Sequence, residues 1–354
     1  MGILKEITFA KAINKGLHEA MSLDKETILF ALGATDPKAI FGTTEGLLEA
    51  FGKERVFDMP TSENAMTGIA IGAAINGTKT IMTHQRLDFF LLAMDQLVNS
   101  AAKMHYMFGG NLSVPITIRL IIGRGWGQGP THSQNLHAWF AHIPGLKVVM
   151  PTNPSDAKDL LIESIIDPNP VIFLEHRWLH NSLGKINQNN IRKKIGTINI
   201  LQEGNDITII TMSYLTIEGI EAANYLKKRG ISCEIIDLCS IQPIDWNVIF
   251  KSVKKTGKVL VCDTGFTTCS FASEIITRIS IELFDFLKKN PKRIAMPDVP
   301  EPTSFGLTKG FYIRAKDIAI ECLNLLNQPL NNVMDDLKEP VPHDVPGDWF
   351  KGPF

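Results

Sequence analysis

Apolar residues fall along this chain in two alternating rhythms. Short runs rich in β-branched side chains, "ETILFALG" (26–33), "TKTIMTH" (78–84), "VPITIRLIIG" (114–123), "LKVVMP" (146–151) and "NPVIFLEH" (169–176), end in turn residues. Continuous runs of this kind mark strands covered on both faces, as in parallel sheets. Between them "TTEGLLEAFG", "FFLLAMDQLVNSAAKMHYMF" and "NPSDAKDLLIESIID" repeat apolar residues at the spacing of one helix face, with Asn153 and Ser155 placed to cap the last. The alternation predicts an α/β fold with a doubly wound, mostly parallel sheet.

The rhythm lapses between Leu183 and Gln202, where the chain is polar and rich in Asn and Lys, and a linker is expected there. It then resumes with "DITIITMS", "SCEIIDL" and "KVLVCDTG" as strands and "TIEGIEAANYLKKRG" and "FASEIITRISIELFDFL" as helices, Gly230 serving as a C-cap. The predicted organisation is a first domain over 1–182, a linker over 183–202, a smaller α/β domain over 203–330 and an extended tail over 331–354. Trp349, Phe350 and Phe354 suggest that the tail docks on something.

At 354 residues the chain is long enough to bury two cores, and 44% hydrophobic with 21% charged residues is ordinary for a globular protein. A net charge of -1 and a pI near 6.8 offer no field for nucleic acid or an anionic membrane. The start reaches Lys5 and Glu6 at once, without a signal-peptide core or the Ser or Thr of a myristoylation signal. No run approaches the roughly 18 apolar residues of a membrane span, so a cytoplasmic location is expected. Five cysteines, Cys233, Cys239, Cys262, Cys269 and Cys322, include no CxxC pair, and buried reduced thiols are expected rather than disulfides or zinc.

Candidate chemistry concentrates in the first half. The run "GRGWGQGPTHSQ" has glycines at 123, 125, 127 and 129, a spacing that fits neither GxGxxG nor a P-loop. An active-site wall or a flexible surface loop are both open readings of it. His132, His137 and His142 recur every five residues, too far round a helix to share a metal, and no GxSxG elbow is present. Glu63 stands as a lone acid before a helix thinned by Gly68, Ala70, Gly72, Ala73 and Ala74, where another backbone could pack closely. Residue type alone leaves Glu63 either a simple N-terminal helix acid or a poised functional carboxylate.

The stretches "RVFDMPTSENAMTGIAIGAAINGTKTIM", "AMDQLVNSAAKMHYMFGG", "GPTHSQNLHAWFAHIPGLKVVMPTNPSDAKDLL" and "EAANYLKKRGISCEIIDLCSIQPIDW" together resemble the β subunit of thiamine-diphosphate-dependent 2-oxoacid dehydrogenase E1 components. The resemblance runs collinearly over about residues 4–325 and implies a transketolase pyrimidine-binding domain followed by a transketolase C-terminal domain. It implies that Glu63 bonds N1' of the cofactor aminopyrimidine and drives it to the imino tautomer, whose nitrogen deprotonates the thiazolium C2. It likewise implies that Phe89 packs against the pyrimidine, that Thr61 and Gln85 lie at the cofactor, and that His132 lies beside the substrate and takes part in acyl transfer. A structural potassium ion is implied at "SIIDPNP", with Asp167 and Asn169 as side-chain positions and Ile116, Ser164 and Ile165 as backbone ones; an ordinary turn fits the same residues.

The sequence contains no GDG motif, which in this superfamily holds the diphosphate and its magnesium. The resemblance therefore implies an α-type subunit that supplies those ligands in an α2β2 heterotetramer, and further a lipoyl acyltransferase as acceptor. Departures are also visible. Ala34 occupies the position of a family glutamate that links paired sites, and His84, Gln85 and Arg86 replace apolar or aromatic residues before Phe89. A more polar pocket follows, with His84 and Arg86 as substrate-contact candidates; pairing of Arg86 with Asp88 or with the α-type subunit is the alternative. A split transketolase-like carboligase and a non-catalytic scaffold subunit are the competing functions.

Overall fold

The structure is a computed structural model that describes residues 6–125, 127–186, 192–338 and 340–352. Trp126 of the glycine run, residues 187–191 of the expected linker and Phe354 of the tail lie outside the described residues. The first half carries β1 (Glu6–Thr8), β2 (Ile28–Ala31), β3 (Val56–Asp58), β4 (Thr80–His84), β5 (Ile116–Ile122), β6 (Lys147–Val149), β7 (Val171–His176) and β8 (Leu183–Lys185). The second half carries β9 (Asn199–Gln202), β10 (Ile207–Thr211), β11 (Cys233–Asp237), β12 (Ser240–Gln242), β13 (Val259–Phe266) and β14 (Lys292–Met296).

Two sheets organise these strands, in the orders β12-β6-β7-β5-β4-β2-β3 and β14-β13-β10-β11-β9. All pairings within them are parallel except β12 with β6 and β9 with β11. The expected doubly wound, mostly parallel architecture is therefore present in both halves. Every side chain of β4, β5 and β7 is buried, which is why those segments read as unbroken apolar runs.

The segment expected as a linker needs correction at both ends. β8 pairs with β1, and β9 forms the antiparallel edge of the second sheet. Both strands are half exposed, so their sequences are polar, and nothing in them shows the alternation of a covered strand. The tail packs back on the chain: Val345 and Phe350 are buried, and Arg314 donates from Nη2 to the carbonyls of His343 (2.9 Å) and Val345 (2.8 Å).

The halves are interlocked. β12 crosses from the second half to extend the first sheet, and each of the two large apolar clusters draws residues from both halves, such as Phe9 with Ile207 and Phe90 with Ile236. Four cysteines are buried free thiols as expected, but Cys269 is exposed. Among the described residues no helix is long and apolar enough to cross a membrane.

Candidate active site

The carboxyl ends of β3, β4 and β5 lead into the segments that carry Glu63, Phe89 and His132. In open parallel sheets this edge is where loops diverge and ligands gather. Glu63 opens the helix Glu63–Ile75, whose buried positions 63, 66, 67, 70, 71 and 74 form one face. Thr67 fastens that face to the sheet, donating from Oγ1 to the Glu63 carbonyl (2.7 Å) and standing 3.4 Å from Met82 Sδ on β4. Glu63 itself is only 6% exposed, yet its carboxylate has no hydrogen bond or ion pair among the described residues. Neither oxygen is among the fully enclosed unpartnered atoms, so the carboxylate stays within reach of an incoming donor. The opposite face of the helix, with Ala65, Ile69 and Gly72, is exposed, and the space over Gly72 is open. Thr61 is exposed just ahead of it.

Phe89 and His132 are brought together edge to face, their ring centroids 5.3 Å apart at 90°. His132 Nδ1 lies 3.0 Å from the Thr131 hydroxyl. Asp88 accepts a bond from Gln134 Nε2 (2.7 Å), tying the Phe89 segment to the His132 loop. Burial raises the Asp88 pKa, and the Gln134 bond opposes that rise.

The three residues before Phe89 divide their roles. His84 is buried against Phe90 (centroids 5.0 Å) with Nε2 unpartnered, and desolvation pushes its pKa down to about 3. It is neutral, so as a substrate-contact candidate it could offer only an uncharged ring. Gln85 Nε2 donates to the Leu32 carbonyl at 3.0 Å, joining the ends of β4 and β2. Arg86 is buried and forms no ion pair with Asp88; its guanidinium instead lies over the Phe41 ring at 5.6 Å.

The glycine run is shaped by protein contacts. A Cβ at Gly123 (φ +75°) would stand 2.2 Å from His176 Nε2, and one at Gly129 would stand 1.9 Å from Thr303 Oγ1. These glycines admit neighbouring protein, which accounts for their mismatch with a phosphate-binding loop. Arg124 secures the run. Its Nη1 donates to the carbonyls of Gln128 (2.5 Å) and Pro302 (2.6 Å), and its Nη2 to the Thr303 carbonyl (3.2 Å) and the Asp344 carboxylate (3.0 Å). Beside it, Glu301 accepts from the Tyr312 hydroxyl (2.9 Å) and leaves Oε1 buried and unpartnered. Burial pushes the Glu301 pKa up to about 8, with Asp88 adding to the rise and Tyr312 and Arg124 opposing it. Sequence reasoning missed Arg124, Glu301, Tyr312 and Asp344. Only Arg124, a charge set directly after an apolar strand, carried any local signal.

At the loop considered for potassium, Asp167 pairs with Lys147 (2.5 Å) and accepts from the Asn169 amide (2.9 Å), while Asn169 Oδ1 is buried without a partner. The Ser164 carbonyl accepts from Thr117 Oγ1 at 2.9 Å, and Ile116 and Ile165 are core residues. Elsewhere Asp156, Asp237 and Cys239 place ligand atoms within 4.8 Å of one another. Their oxygens are already bonded by Thr152 (2.8 Å), Thr216 (2.9 Å), Asn199 (2.6 Å to Asp156) and Lys193, which makes this group a polar joint between the halves.

Comparison with known proteins gives a consistent picture. The transketolase pyrimidine-binding domain family matches residues 5–181, and the transketolase C-terminal domain family matches residues 196–318. The chain is 37% identical over 318 residues to the pyruvate dehydrogenase E1 component subunit β-2 of Oryza sativa subsp. japonica, covering 89% of this chain and 85% of that protein. It is 36% identical over 338 residues to the acetoin:2,6-dichlorophenolindophenol oxidoreductase subunit β of Bacillus subtilis, covering 92% and 99%. In fold it is similar to a split-gene transketolase described as an inactive β4 tetramer, with a TM-score of 0.74 at 20% identity over 91% of this chain and 98% of the other.

Proposed function

The chain belongs to the family of pyruvate dehydrogenase E1 and acetoin oxidoreductase β subunits, and from that membership we propose that it is the β-type subunit of an enzyme that decarboxylates a 2-oxoacid and hands on the acyl unit. The family is thiamine-diphosphate-dependent. The observation that carries the reading is Glu63, a residue 6% exposed at a helix start whose carboxylate forms no hydrogen bond or ion pair among the described residues and can still be reached by a donor. It suits a ring nitrogen that must gain and lose a proton, and the half-buried Phe89 ring beside His132 suits a flat heterocycle.

When bound, thiamine diphosphate supplies the electron sink for loss of carbon dioxide. In this reading Glu63 holds the proton at the pyrimidine nitrogen and Phe89 orients the ring by contact, with Thr61 and Gln85 at its margin. His132 moves a proton on the substrate side. Diphosphate and magnesium ligands come from an α-type subunit in an α2β2 assembly, because this sequence has no GDG motif. A lipoyl acyltransferase then receives the acyl unit. The orphan Asn169 Oδ1 fits a potassium ion, whereas Asp167 already holds Lys147. A cytoplasmic location is part of the proposal.

The test is Glu63→Gln in the complex reconstituted with the α-type subunit. Assembly should persist while oxoacid-dependent reduction of an artificial electron acceptor falls about 100- to 10,000-fold, the range of a lost general acid–base group. Near-normal exchange of the cofactor C2 proton in that variant would remove Glu63 from the mechanism.

A further inference from the structure

This fold pairs a buried arginine when the arginine is structural. Arg119 on β5, wholly enclosed, meets Glu175 at 2.6 Å and Thr83 Oγ1 at 3.2 Å. Arg86 and Arg177 are treated differently. They are 3% and 2% exposed, they press on the Phe41 ring at 5.6 and 4.5 Å, and neither has an ion pair among the described residues. Among those residues Arg86 also makes no hydrogen bond, and it buries Nη1 unpartnered. Arg177 leaves Nε unpartnered and reaches only the Lys351 carbonyl, at 3.5 Å. The acids in this region are committed elsewhere, Asp88 to Gln134 at 2.7 Å and Glu175 to Arg119 and to His180 at 3.4 Å. Desolvation lowers both guanidinium pKa values to about 10; for Arg86, repulsion from Arg177 adds to the fall and the Asp88 carboxylate opposes it. The adjacent His176, held near 3, is neutral and offers no negative charge. Arg177 has a second ring, Phe350, at 5.1 Å, whereas among the described residues Arg86 has only Phe41 and the field of Asp88, without an ion pair between the two. Ring stacking recovers less than burying two like charges without an ion pair costs.

Phe41 is itself presented under strain. Ala39, Ile40 and Phe41 have φ of +48°, +44° and +59°, the left-handed region that L side chains rarely adopt. Strained backbone of this kind concentrates at ligand clamps. The place is also joined to the candidate active site. Arg86 comes three residues before Phe89, and a Cβ on Gly125, in the run leading to His132, would stand 2.7 Å from Arg86 Nη2.

We propose that Arg86, with Arg177 reinforcing its field across Phe41, receives a second anionic group, a carboxylate or a phosphate-like oxyanion, at the far end of the 2-oxoacid substrate. This rests on the function proposed above and adds the substrate class. An oxyanion supplies the acceptor that Arg86 lacks and neutralises a charge that the chain leaves open.

The experiment uses the reconstituted complex. For wild type and for Arg86→Met, Arg86→Lys and Arg177→Met, kcat/KM is measured with 2-oxoglutarate, with its phosphonate analogue and with 2-oxopentanoate, whose far end is uncharged. The ratio of dianionic to monoanionic substrate should exceed one in wild type and fall about 10- to 100-fold in Arg86→Met, with part restored in Arg86→Lys. The better of the two anionic substrates separates carboxylate from phosphate. Independently of turnover, sodium sulfate at matched ionic strength should raise the unfolding temperature of wild type above that in chloride, and Arg86→Met should lose this effect. If wild type turns over no oxoacid, the proposed function fails, and sulfate protection alone decides whether the anion site exists. An unchanged ratio in Arg86→Met, or dissociation of the subunits without a change in ratio, overturns the proposal and makes the arginine an interface residue.

Discussion

Glu63 and Glu301 are both buried residues, and their neighbours separate them. Glu63 has its oxygens unbonded, while Glu301 is held through one oxygen by Tyr312 and kept protonated by burial up to about pH 8. The ordinary carboxyl value is 4.5, so below that pH Glu301 is protonated whether the chain is folded or not. Between 4.5 and about 8 the unfolded chain gives up its proton first, so stability falls as pH rises, by about 1.4 kcal/mol for each pH unit between the two values. Above about 8 both forms are ionised and the penalty is constant. Glu301→Gln keeps an acceptor for Tyr312 and removes the ionisation. Its unfolding temperature should therefore gain on wild type progressively from pH 5 to 8 and hold a steady difference beyond. A difference independent of pH would show that Glu301 does not titrate in this window.

Among the elements, those buried on both faces were legible in the sequence and those on an edge were not. β4, β5, β7, β10, β11 and β13 carry long apolar runs, whereas β8, β9 and β14 are exposed edges whose polar residues read as connection. The stretch from Phe89 to Phe108 reads as one amphipathic helix but contains a π-helical turn at Gln96–Ala101, an inserted residue to which a 3.6 period is blind. At the site, Glu63 stood out as a lone acid before a helix, and Phe89 and His132 were brought to it by the family resemblance. Arg124 with Asp344 did not, because 220 positions separate them in the chain. That pair sets a property of the glycine run as an element. Both side chains are buried, and removing one partner from such a pair typically costs about 3–5 kcal/mol. Asp344→Asn should therefore speed amide hydrogen exchange across residues 123–134 and 300–305 while leaving exchange in β10 and β11 little changed. Equal protection in both regions would mean that Arg124 is sufficiently held by the three carbonyls alone.

At the scale of the whole molecule, the apolar clusters and β12 make the two halves one body, yet several large apolar side chains of the first half stay exposed. Ile69 is 60% exposed and Leu92 67%, and the helix end at Tyr106, Met107 and Phe108 is more than half exposed at each residue. Exposed large apolar side chains on the helix that begins at Glu63 and on the segment packed against it are what a partner-binding face would present. The proposed α-type subunit would close it and bring the diphosphate and magnesium ligands opposite Glu63. Gly72 tests this arrangement cleanly. It lies mid-helix on the open face, and a Cβ added there would have nothing within 4 Å, so a larger side chain meets no clash within the chain. Gly72→Leu should even stabilise the isolated chain by roughly 0.5–1 kcal/mol through helix propensity. In calorimetric titration with magnesium present, thiamine diphosphate should bind tightly only to the mixed assembly and weakly to this chain alone. Gly72→Leu should weaken assembly with the α-type subunit and, in the same proportion, cofactor binding at fixed subunit concentration. Tight binding by the single chain, or a Gly72→Leu variant that assembles as well as wild type, would place the cofactor or the partner on a different face.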